Sequence, residues 1–599
     1  MTALQAPMKS WWMALYVFEE TYSYVLSVSH DSDLFAKGRL SKANYISFVK
    51  FLKHLVVLAV LEFRKFRKQQ DDLPLLGYFK NTVLLSLKLL RQIYMRNLRL
   101  NLFEADFWYL KEDFSVKSVL PLLQQVEDDM GFRIPTPLFG NDLSVSSSSL
   151  SSSQLGSVLV LAYIPYMIPF EQRAALFHAL IDLDRTRMGG WFAAKTQGTV
   201  SRQNILFDAF EQFGSLPGEQ FKRPISVEFI NRFGEREAGI DGGGLTKELL
   251  TSLVTSAFIP SKENASQNGG FRFFDTTTDS QLFPSADYFL ELKYAQLHPE
   301  QTEYSAESRD FTLQMLRFLG MVVGKCLYEN VLIDVSFAPF FLNRWSTAQG
   351  RRNFMGAAQT VEESQRYRNS FDDLQSFDGE LYQSLVKLLK FSKEELESLD
   401  ITFTVTERLG KSHNVTLDLL PGGSHLHVTS ENKLQYVYCV AKYKLDQRIG
   451  VQTAYFLDGL FQVIRSHWLS LFNPYELQTL ISGGEKEIDV DDLKRNIVLG
   501  GYTTSDSTVK YLFEILREFS PEQKGKFVKF VTSSSKQPLL GFKELNPKFG
   551  IRNSGNDPER LPTASTCVNL LKLPDYRDKE LLRRKLLYSI NAEAGFDLS

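Results

Sequence analysis

Apolar side chains recur at helical spacing in the first part of the chain. Within residues 75–102 one stripe has an apolar side chain at every third position, formed by Leu84, Leu87, Leu90 and Ile93. This spacing places them on one face of a helix, which must be buried against other elements. Because residues 1–143 are rich in Leu, Phe and Tyr at such spacing, we predict an N-terminal all-α region. No repeat of fixed period is present, so a solenoid is not predicted.

A serine-rich stretch interrupts this helical pattern. Residues 144–157 have the sequence SVSSSSLSSSQLGS, which cannot bury a core and therefore predicts a flexible loop. Residues 158–220 then predict a helical connector. Within it, residues 170–184 carry apolar side chains on one side, and residues 204–213 are also predicted to be helical.

From residue 221 onward the pattern mixes strands with helices. Residues 225–230 predict a strand, and residues 309–330 predict a long helix. Residues 345–450 mix both types, with alternating strand patterns at 401–405 and 415–419. The alternation predicts a mixed α+β region after the helical N-terminal part.

Two consecutive glycines, Gly483 and Gly484, follow an apolar helix predicted over residues 477–481. With charged neighbours after them, they indicate either a hinge or a helix C-cap turn, and the two interpretations are compatible. Beyond them, Ser520 and Gln523 have the spacing of a capping box at the start of a further helix. Residues 578–591 predict the last helix.

The chain has three cysteines, and two of them fall on apolar helical patterns. Cys326 lies on the apolar stripe of the helix predicted over residues 309–330, and Cys439 lies in another apolar helix. The third, Cys567, lies in LPTASTCVNLLKLP, between a polar turn after Pro562 and a short apolar run at 568–573 that predicts a buried strand. Cys567 is therefore the candidate nucleophile, although a cysteine in a turn is also common without any function.

Composition and charge exclude several other kinds of function. The 68 Lys and Arg residues against 70 Asp and Glu residues give a net charge of −2, which does not suggest nucleic acid. Three cysteines cannot form a disulfide framework and indicate a reduced, intracellular protein. The longest apolar runs are shorter than the ~20 residues that span a bilayer, so no membrane is expected. No phosphate loop, metal site or cofactor site is predicted; His425 and His427, for example, have no accompanying cysteine pair.

Three kinds of function therefore remain open from the residues themselves. A cysteine hydrolase would need a histidine base, and none of the eight histidines lies in the last 132 residues. A transferase that exchanges thioesters needs only an accessible thiol. A non-catalytic helical scaffold would not use Cys567 at all.

Several spaced blocks within residues 221–599 resemble the HECT-type ubiquitin ligases, and in particular their proteasome-associated subgroup. In chain order they are GIDGGGLTKELL, GKCLYENVLID, LISGGEKEID, GGYTTSD, FVTSSSKQPLLGFKEL and ERLPTASTC. The block YIPYMIPFEQR at residues 163–173 and the terminal GFDLS are similar to the same subgroup. An ordered series of blocks is a more specific resemblance than a single motif.

The resemblance implies an α+β fold with a bilobal catalytic module. A larger, mostly helical N-lobe at 221–483 would be joined by a hinge at 484–487 to a smaller α/β C-lobe at 488–599. The implied reaction carries ubiquitin as a thioester on Cys567 and transfers it to lysines of substrates or of a polyubiquitin chain. The implied partners are ubiquitin, a ubiquitin-conjugating enzyme, protein substrates and the proteasome, in the cytoplasm or the nucleus.

The resemblance also implies roles for individual residues. A groove for the conjugating enzyme, in a subdomain at about 345–450, would be lined by Leu381, Ser384, Leu385, Leu388, Phe391, Leu399 and Tyr436. Helical spacing alone leaves open whether Leu385 and Leu388 line a groove or lie in the core. Thr566 and Phe596 would support the reaction from the C-lobe, and Gly483 and Gly484 would form the hinge. Members of the family commonly have a histidine two residues before the cysteine, where this chain has Ser565.

Overall fold

The structure is a computed structural model. It describes residues 2–35, 40–61, 73–110, 119–121, 152–190, 194–231, 233–237, 244–258, 272–298, 306–347, 369–409, 413–484 and 487–591. Phe596, most of the serine-rich stretch and the side chain of Cys567 lie outside this described part.

Long helices form the N-terminal region. They are α1 (Thr2–Val28), α2 (Lys42–Leu61) and α3 (Leu73–Leu100), followed by the short α4 (Ala105–Trp108). Both α1 and α2 pack against α3, and Val49, Leu52 and Val56 of α2 are completely buried. These side chains lie three or four positions apart, so one face of α2 enters the core. The predicted packing of amphipathic helices is confirmed for the residues described here.

Helix α2 is also long and apolar enough to cross a membrane by length and composition, with a mean hydropathy of 1.5. Its buried side chains face α3 and α5 (Ser152–Tyr163). Core helices of proteins without any membrane segment can have the same length and composition, so this single helix is weak evidence for a span.

The serine-rich stretch was predicted as a flexible loop up to residue 157, and its last part is helical instead. Helix α5 begins at Ser152 and runs to Tyr163. Its apolar residues Val158, Leu159 and Leu161 are buried, and the helix packs against α2. Tertiary packing of the apolar half therefore extends the helix back into serines, whose intrinsic helix preference is only moderate. Helix α6 (Phe170–Arg187) follows, as predicted.

The next part of the chain combines helices with two small sheets. Strand β1 (Thr196–Ser201) pairs in parallel with β2 (Ile225–Ile230), and β3 (Phe274–Thr276) pairs antiparallel with β4 (Leu282–Pro284). The helices are α7 (Ile205–Phe213), α8 (Gly218–Lys222), α9 (Gly244–Phe258), α10 (Asp287–Leu297), α11 (Ala306–Tyr328) and α12 (Pro339–Thr347). Strand β2 and the long helix α11 are both confirmed.

A small subdomain follows, built around a β-hairpin. It contains α13 (Leu374–Phe377), α14 (Gly379–Lys390), α15 (Lys393–Leu399), β5 (Thr404–Leu409), β6 (His413–Asp418) and α16 (Lys433–Lys442). Helix α16 begins after Asn432. The Asn432 side chain accepts a hydrogen bond from Thr429 N and donates one to His427 O, which keeps residues 427–432 in a turn.

Helices α17 (Gly450–Val463), α18 (Ser466–Leu469) and α19 (Pro474–Ser482) complete this part of the molecule. Helix α17 crosses α11 at very short range. A Cβ atom on Gly320 would lie 1.9 Å from Phe456 O, and one on Gly459 would lie 1.7 Å from Arg317 O. Glycine at both positions lets the two backbones touch, which fixes how these central helices cross.

The C-terminal part is a compact α/β unit. Its helices are α20 (Val490–Arg495), α21 (Ser507–Glu518), α22 (Pro521–Thr532) and α23 (Lys579–Asn591), and its strands are β7 (Ile497–Gly500), β8 (Phe549–Asn553), β9 (Thr563–Ser565) and β10 (Leu570–Leu573). The sheet order is β7-β8-β10-β9, with β9 antiparallel and the other pairs parallel. The last strand begins at Leu570 rather than at Val568 as predicted, because residues 566–568 turn as a 3-10 helix.

Two separate hydrophobic cores divide the chain between Ile481 and Ile488. The second core consists of C-terminal residues alone, which gives the predicted bilobal α+β architecture. Among the described residues, the first core includes side chains from Tyr22 to Ile481 in a single cluster. The predicted N-terminal region, connector and N-lobe therefore share one core, although the sequence pattern divided them.

Candidate active site

The cysteine-bearing turn joins the last two strands of the C-lobe sheet. Thr566–Val568 form a 3-10 turn between β9 and β10, and Asn569 follows in the left-handed region with φ 50°. The backbone N–H of Asn569 donates to Thr566 O at 3.3 Å and closes the turn. Asparagine tolerates this conformation better than most residues, so it suits a turn that must reverse directly into a strand.

Asn569 also ties the turn to its surroundings, a role that the sequence analysis missed. Its side chain is 1% exposed, and its Nδ2 donates to Pro547 O at 2.6 Å. Its backbone O accepts a hydrogen bond from Gly550 N at the start of β8. The sequence feature that could have predicted this role is an asparagine between the cysteine and the following strand, because asparagine commonly closes turns with its side chain.

A lysine from the other lobe reaches this turn. Lys247, in the first turn of α9, donates from Nζ to Thr566 O at 3.2 Å and to Asn569 Oδ1 at 2.5 Å. It also donates to Thr532 O at 2.8 Å, where α22 ends. No local pattern identifies this contact, because the partners are about half the chain away.

The other two cysteines are buried, as predicted. Cys326 is 1% exposed and Cys439 is 8% exposed. Burial raises the pKa of both thiols, which disfavours the thiolate form that acts as a nucleophile. Cys567, in the turn, is left as the candidate nucleophile of the chain. Among the described residues no group of three or more His, Cys, Asp and Glu side chains is arranged to hold a metal ion.

The residues assigned to the conjugating-enzyme groove fall into two groups. Leu385 and Leu388 are buried on the inner face of α14, at 5% and 6% exposure. The others are partly or fully exposed and comprise Leu381, Ser384, Phe391, Leu399 and Tyr436. The structure thus places Leu385 and Leu388 in the core beneath a surface that the remaining five residues can form.

Two contacts hold that surface together. The Tyr436 ring packs edge-on against Phe403, with ring centroids 5.4 Å apart. Lys433 Nζ donates to Phe391 O at 3.0 Å, which joins α16 to the end of α14. Leu399, at the end of α15, is 48% exposed. A large exposed apolar side chain is the kind of feature that protein partners use as an anchor.

A largely buried ion cluster joins α14 to the N-terminal helices. Arg96 Nη2 of α3 contacts Asp372 Oδ2 at 2.8 Å, and Tyr382 OH of α14 donates to Asp372 Oδ1 at 2.8 Å. Arg99 pairs with Asp373 at 2.9 Å. Paired and hydrogen-bonded buried charges are costly to separate, so this cluster holds α14 firmly against α3.

The hinge glycines follow α19. Gly483 has φ 89° and donates its backbone N–H to Thr479 O, so it ends the helix in a conformation that favours glycine. A Cβ atom there would lie 2.9 Å from Gln537 O of the C-lobe and 3.3 Å from Leu332 of the N-lobe. Gly484 continues the link, and residues 485 and 486 lie outside the described part. The C-cap interpretation of Gly483 is confirmed, whereas a hinge motion stays a prediction.

Comparison with known protein families identifies the part of the chain that contains Cys567. The family described as HECT-domain (ubiquitin-transferase) matches residues 265–599. The E3 ubiquitin-protein ligase HUL5 of Saccharomyces cerevisiae is 44% identical over 465 residues, which cover 75% of this chain and 46% of that relative.

Two further relatives are similar to about the same share of this chain. The E3 ubiquitin-protein ligase UPL6 of Arabidopsis thaliana is 34% identical over 467 residues, covering 77% of this chain and 40% of the relative. The ubiquitin-protein ligase E3B of Homo sapiens is 33% identical over 488 residues, covering 76% and 42%. The chain thus spans less than half the length of these relatives. Because the family match covers more than half of its 599 residues, the chain belongs to the HECT-domain family of ubiquitin transferases.

Proposed function

We propose that this chain is a ubiquitin ligase that accepts ubiquitin from a conjugating enzyme as a thioester on Cys567. The observation that carries the proposal is the position of the cysteines. Cys567 lies in a turn at the junction of the two lobes, whereas Cys326 and Cys439 are buried. A thioester-exchange site needs a thiol that another protein can approach, and burial makes Cys326 and Cys439 unsuited to this role.

The proposed reaction has two steps. In loading, the Cys567 thiolate attacks the thioester between ubiquitin and the conjugating enzyme, and the enzyme's cysteine leaves as a thiolate. In discharge, a lysine amine attacks the new thioester carbonyl, the C–S bond breaks, and an isopeptide C–N bond forms. The amine loses a proton and the Cys567 thiolate is released.

The surface formed by Leu381, Ser384, Phe391, Leu399 and Tyr436 is proposed to hold the conjugating enzyme during loading. Leu385 and Leu388 support this surface from below, because both are buried. Thr566, whose carbonyl oxygen is held by Lys247, is proposed to position the cysteine-bearing turn. Phe596 is proposed to dock the C-terminal tail during discharge, which rests on the family resemblance alone.

The acceptors, the fate of the products and the location proposed for this protein follow from the same resemblance. Acceptors would be lysines of protein substrates or of a growing polyubiquitin chain, and the products would be directed to the proteasome. We propose that the protein works in the cytoplasm or the nucleus, and a composition with three cysteines and no disulfide framework supports a reducing compartment.

The test is a loading assay with ubiquitin, activating enzyme, conjugating enzyme and ATP, analysed on a non-reducing gel. A thiol-sensitive ubiquitin adduct should form on the wild type and be absent from Cys567→Ala. Cys439→Ala is the matched control and should load normally. An adduct that persists in Cys567→Ala would exclude the proposal.

The same assay separates the two alternatives. A cysteine hydrolase would shorten ubiquitin conjugates without any conjugating enzyme, and its activity would depend on one of the eight histidines. A scaffold without activity would form no adduct, and Cys567→Ala would behave like the wild type in every measurement.

A further inference from the structure

The Lys247 ammonium lies in an enclosed contact between the two lobes. Lys247 belongs to α9 of the N-lobe and is only 9% exposed. Its three hydrogen-bond acceptors named above, Thr532 O, Thr566 O and Asn569 Oδ1, all belong to the C-lobe. A charged group buried this deeply requires such partners, because it has lost most of its water.

Each acceptor is suited to a positive charge. Thr532 ends α22, where the carbonyl groups of the last turn carry the negative end of the helix dipole. Thr566 supplies the carbonyl of the peptide bond that leads into Cys567. Hydrogen bonds from an ammonium are stronger than those between neutral groups, so the cluster holds the turn in place.

Asn569 extends this hold into the C-lobe sheet. One side-chain atom, Oδ1, accepts from Lys247, while the other, Nδ2, donates to Pro547 O. Its backbone O is bonded to Gly550 N of β8. A displacement of Lys247 would therefore disturb the cysteine-bearing turn on both sides, at Thr566 before the cysteine and at Asn569 after it.

A second interlobe contact lies at the rim and differs in character. Lys529 Nζ pairs with Asp334 Oδ2 at 3.0 Å, but these side chains are 57% and 43% exposed. Ion pairs exposed to this extent contribute little to docking, because water and salt screen them. The two lysines therefore allow a matched comparison of a buried and an exposed lobe contact.

We propose that Lys247 is a positioning residue for discharge, which docks the cysteine-bearing turn on α9 of the N-lobe. This inference rests on the proposed function and adds a role for a residue outside the C-lobe. Loading requires Cys567 to meet a conjugating enzyme held by the surface on α14, α15 and α16. Lys247 instead holds the cysteine-bearing turn on α9. We therefore infer that the arrangement with Lys247 bound to the turn serves transfer of ubiquitin to lysine. The Lys247 contact must open before Cys567 can be loaded.

The test compares Lys247→Met with Lys529→Met. Both changes remove an ammonium from a lobe contact and keep a side chain of similar length. In single-turnover chase of preloaded enzyme onto free lysine, Lys247→Met should slow discharge by about tenfold, the loss expected for a buried charge-assisted hydrogen bond. Its loading rate should not fall below that of the wild type, because loading requires this contact to open. Lys529→Met should discharge normally.

Hydrogen exchange provides a readout that does not depend on ubiquitin. Amides of residues 563–573 should exchange several-fold faster in Lys247→Met than in the wild type or Lys529→Met, while the α21 and α22 amides keep their protection. Unchanged exchange in this segment would overturn the docking contact, even if no ubiquitin adduct formed on any variant. Faster exchange without any wild-type adduct would retain the docking and reject the proposed function. Normal discharge, or an equal loss of loading and discharge, would overturn the role in positioning.

Discussion

Arg173 of α6 forms a two-pronged salt bridge with Glu476 of α19 beside the first hydrophobic core. Its Nη2 lies 2.6 Å from Glu476 Oε1 and its Nη1 lies 2.8 Å from Oε2, while Arg173 itself is 1% exposed. Glu476 also accepts the backbone N–H of Asn473 and completes the capping box of α19. Arg173, the last residue of the block YIPYMIPFEQR, thus holds α19 in place just before Gly483.

Removing this arginine is predicted to destabilise the part of the chain that shares the first hydrophobic core. Arg173→Met leaves a carboxylate without its partner in a mostly buried site, which should lower the free energy of unfolding by about 3–5 kcal/mol. Urea unfolding measures this loss. The double variant Arg173→Met, Glu476→Gln should lose less than the sum of the single variants, because the unpaired charge is gone. An unfolding midpoint for Arg173→Met equal to that of the wild type would contradict the prediction.

The groove assignment predicts opposite outcomes for two leucines of the small subdomain. Leu399 is 48% exposed, so Leu399→Ala should leave the melting temperature nearly unchanged. As a contact anchor it should slow loading of Cys567, with a loss of about 2 kcal/mol, or about thirtyfold in affinity for the conjugating enzyme.

Leu388 is the matched control for this surface, because it is only 6% exposed. Leu388→Ala should lower the free energy of unfolding by about 2–5 kcal/mol through the cavity that it creates. The effect of Leu388→Ala on the rate of Cys567 loading should disappear when the rates are corrected for the fraction of folded protein. If Leu399→Ala loaded at the wild-type rate, the anchor assignment would be wrong.

Gly483 is predicted to control lobe movement through its conformation. An alanine at φ 89° is strained by about 1–3 kcal/mol, and its Cβ would press on Gln537 O in the docked arrangement. Gly483→Ala should therefore shift the lobes away from docking and lower the multiple-turnover transfer rate. Gly555 also has a positive φ, at 102°, but open space surrounds its Cβ position. Gly555→Ala should keep the transfer rate, and equal rates for both variants would argue against a hinge.

Glu19 is predicted to make the stability of the N-terminal helices depend on pH. It is completely buried between α1 and α3, where Ser86 Oγ donates to Oε1 at 2.7 Å. Burial raises the pKa of Glu19 to about 8, and the hydrogen bond from Ser86 offsets part of the rise. The folded chain therefore keeps this proton between its ordinary pKa of 4.5 and about 8, while the unfolded chain releases it.

Because the folded state binds more protons in that range, its stability falls as pH rises from about 4.5 to about 8. The contribution of Glu19 has a slope of about 1.4 kcal/mol per pH unit, which Glu19→Gln removes. Chemical denaturation at several pH values measures the difference. Glu20→Gln, at the exposed next position, is the control and should keep the wild-type dependence. Parallel curves for wild type and Glu19→Gln would refute the prediction.

The local sequence pattern was sufficient to predict many structural features of this protein. The capping box of Ser520 and Gln523 forms as predicted, because both partners lie within one helical turn. The stripe that carries Cys326 is buried, because helical periodicity determines which side chains share a face. The prediction of a flexible loop was wrong for the end of the serine-rich stretch, because packing of the apolar half of α5 against α2 outweighed the local composition.

The periodicity of the sequence determined most element types, although it missed β1 within the helical connector predicted over residues 158–220. The ordered motifs, through the family resemblance, implied the two-lobed architecture and Cys567 as the candidate nucleophile. Only the tertiary structure decided that Leu385 and Leu388 face the core and that Lys247 meets Asn569, which is 322 positions away. It also decided that Arg96 meets Asp372 across 276 positions. Such contacts arise from how separately formed elements pack, and the spacing of residues within one element carries no information about that packing.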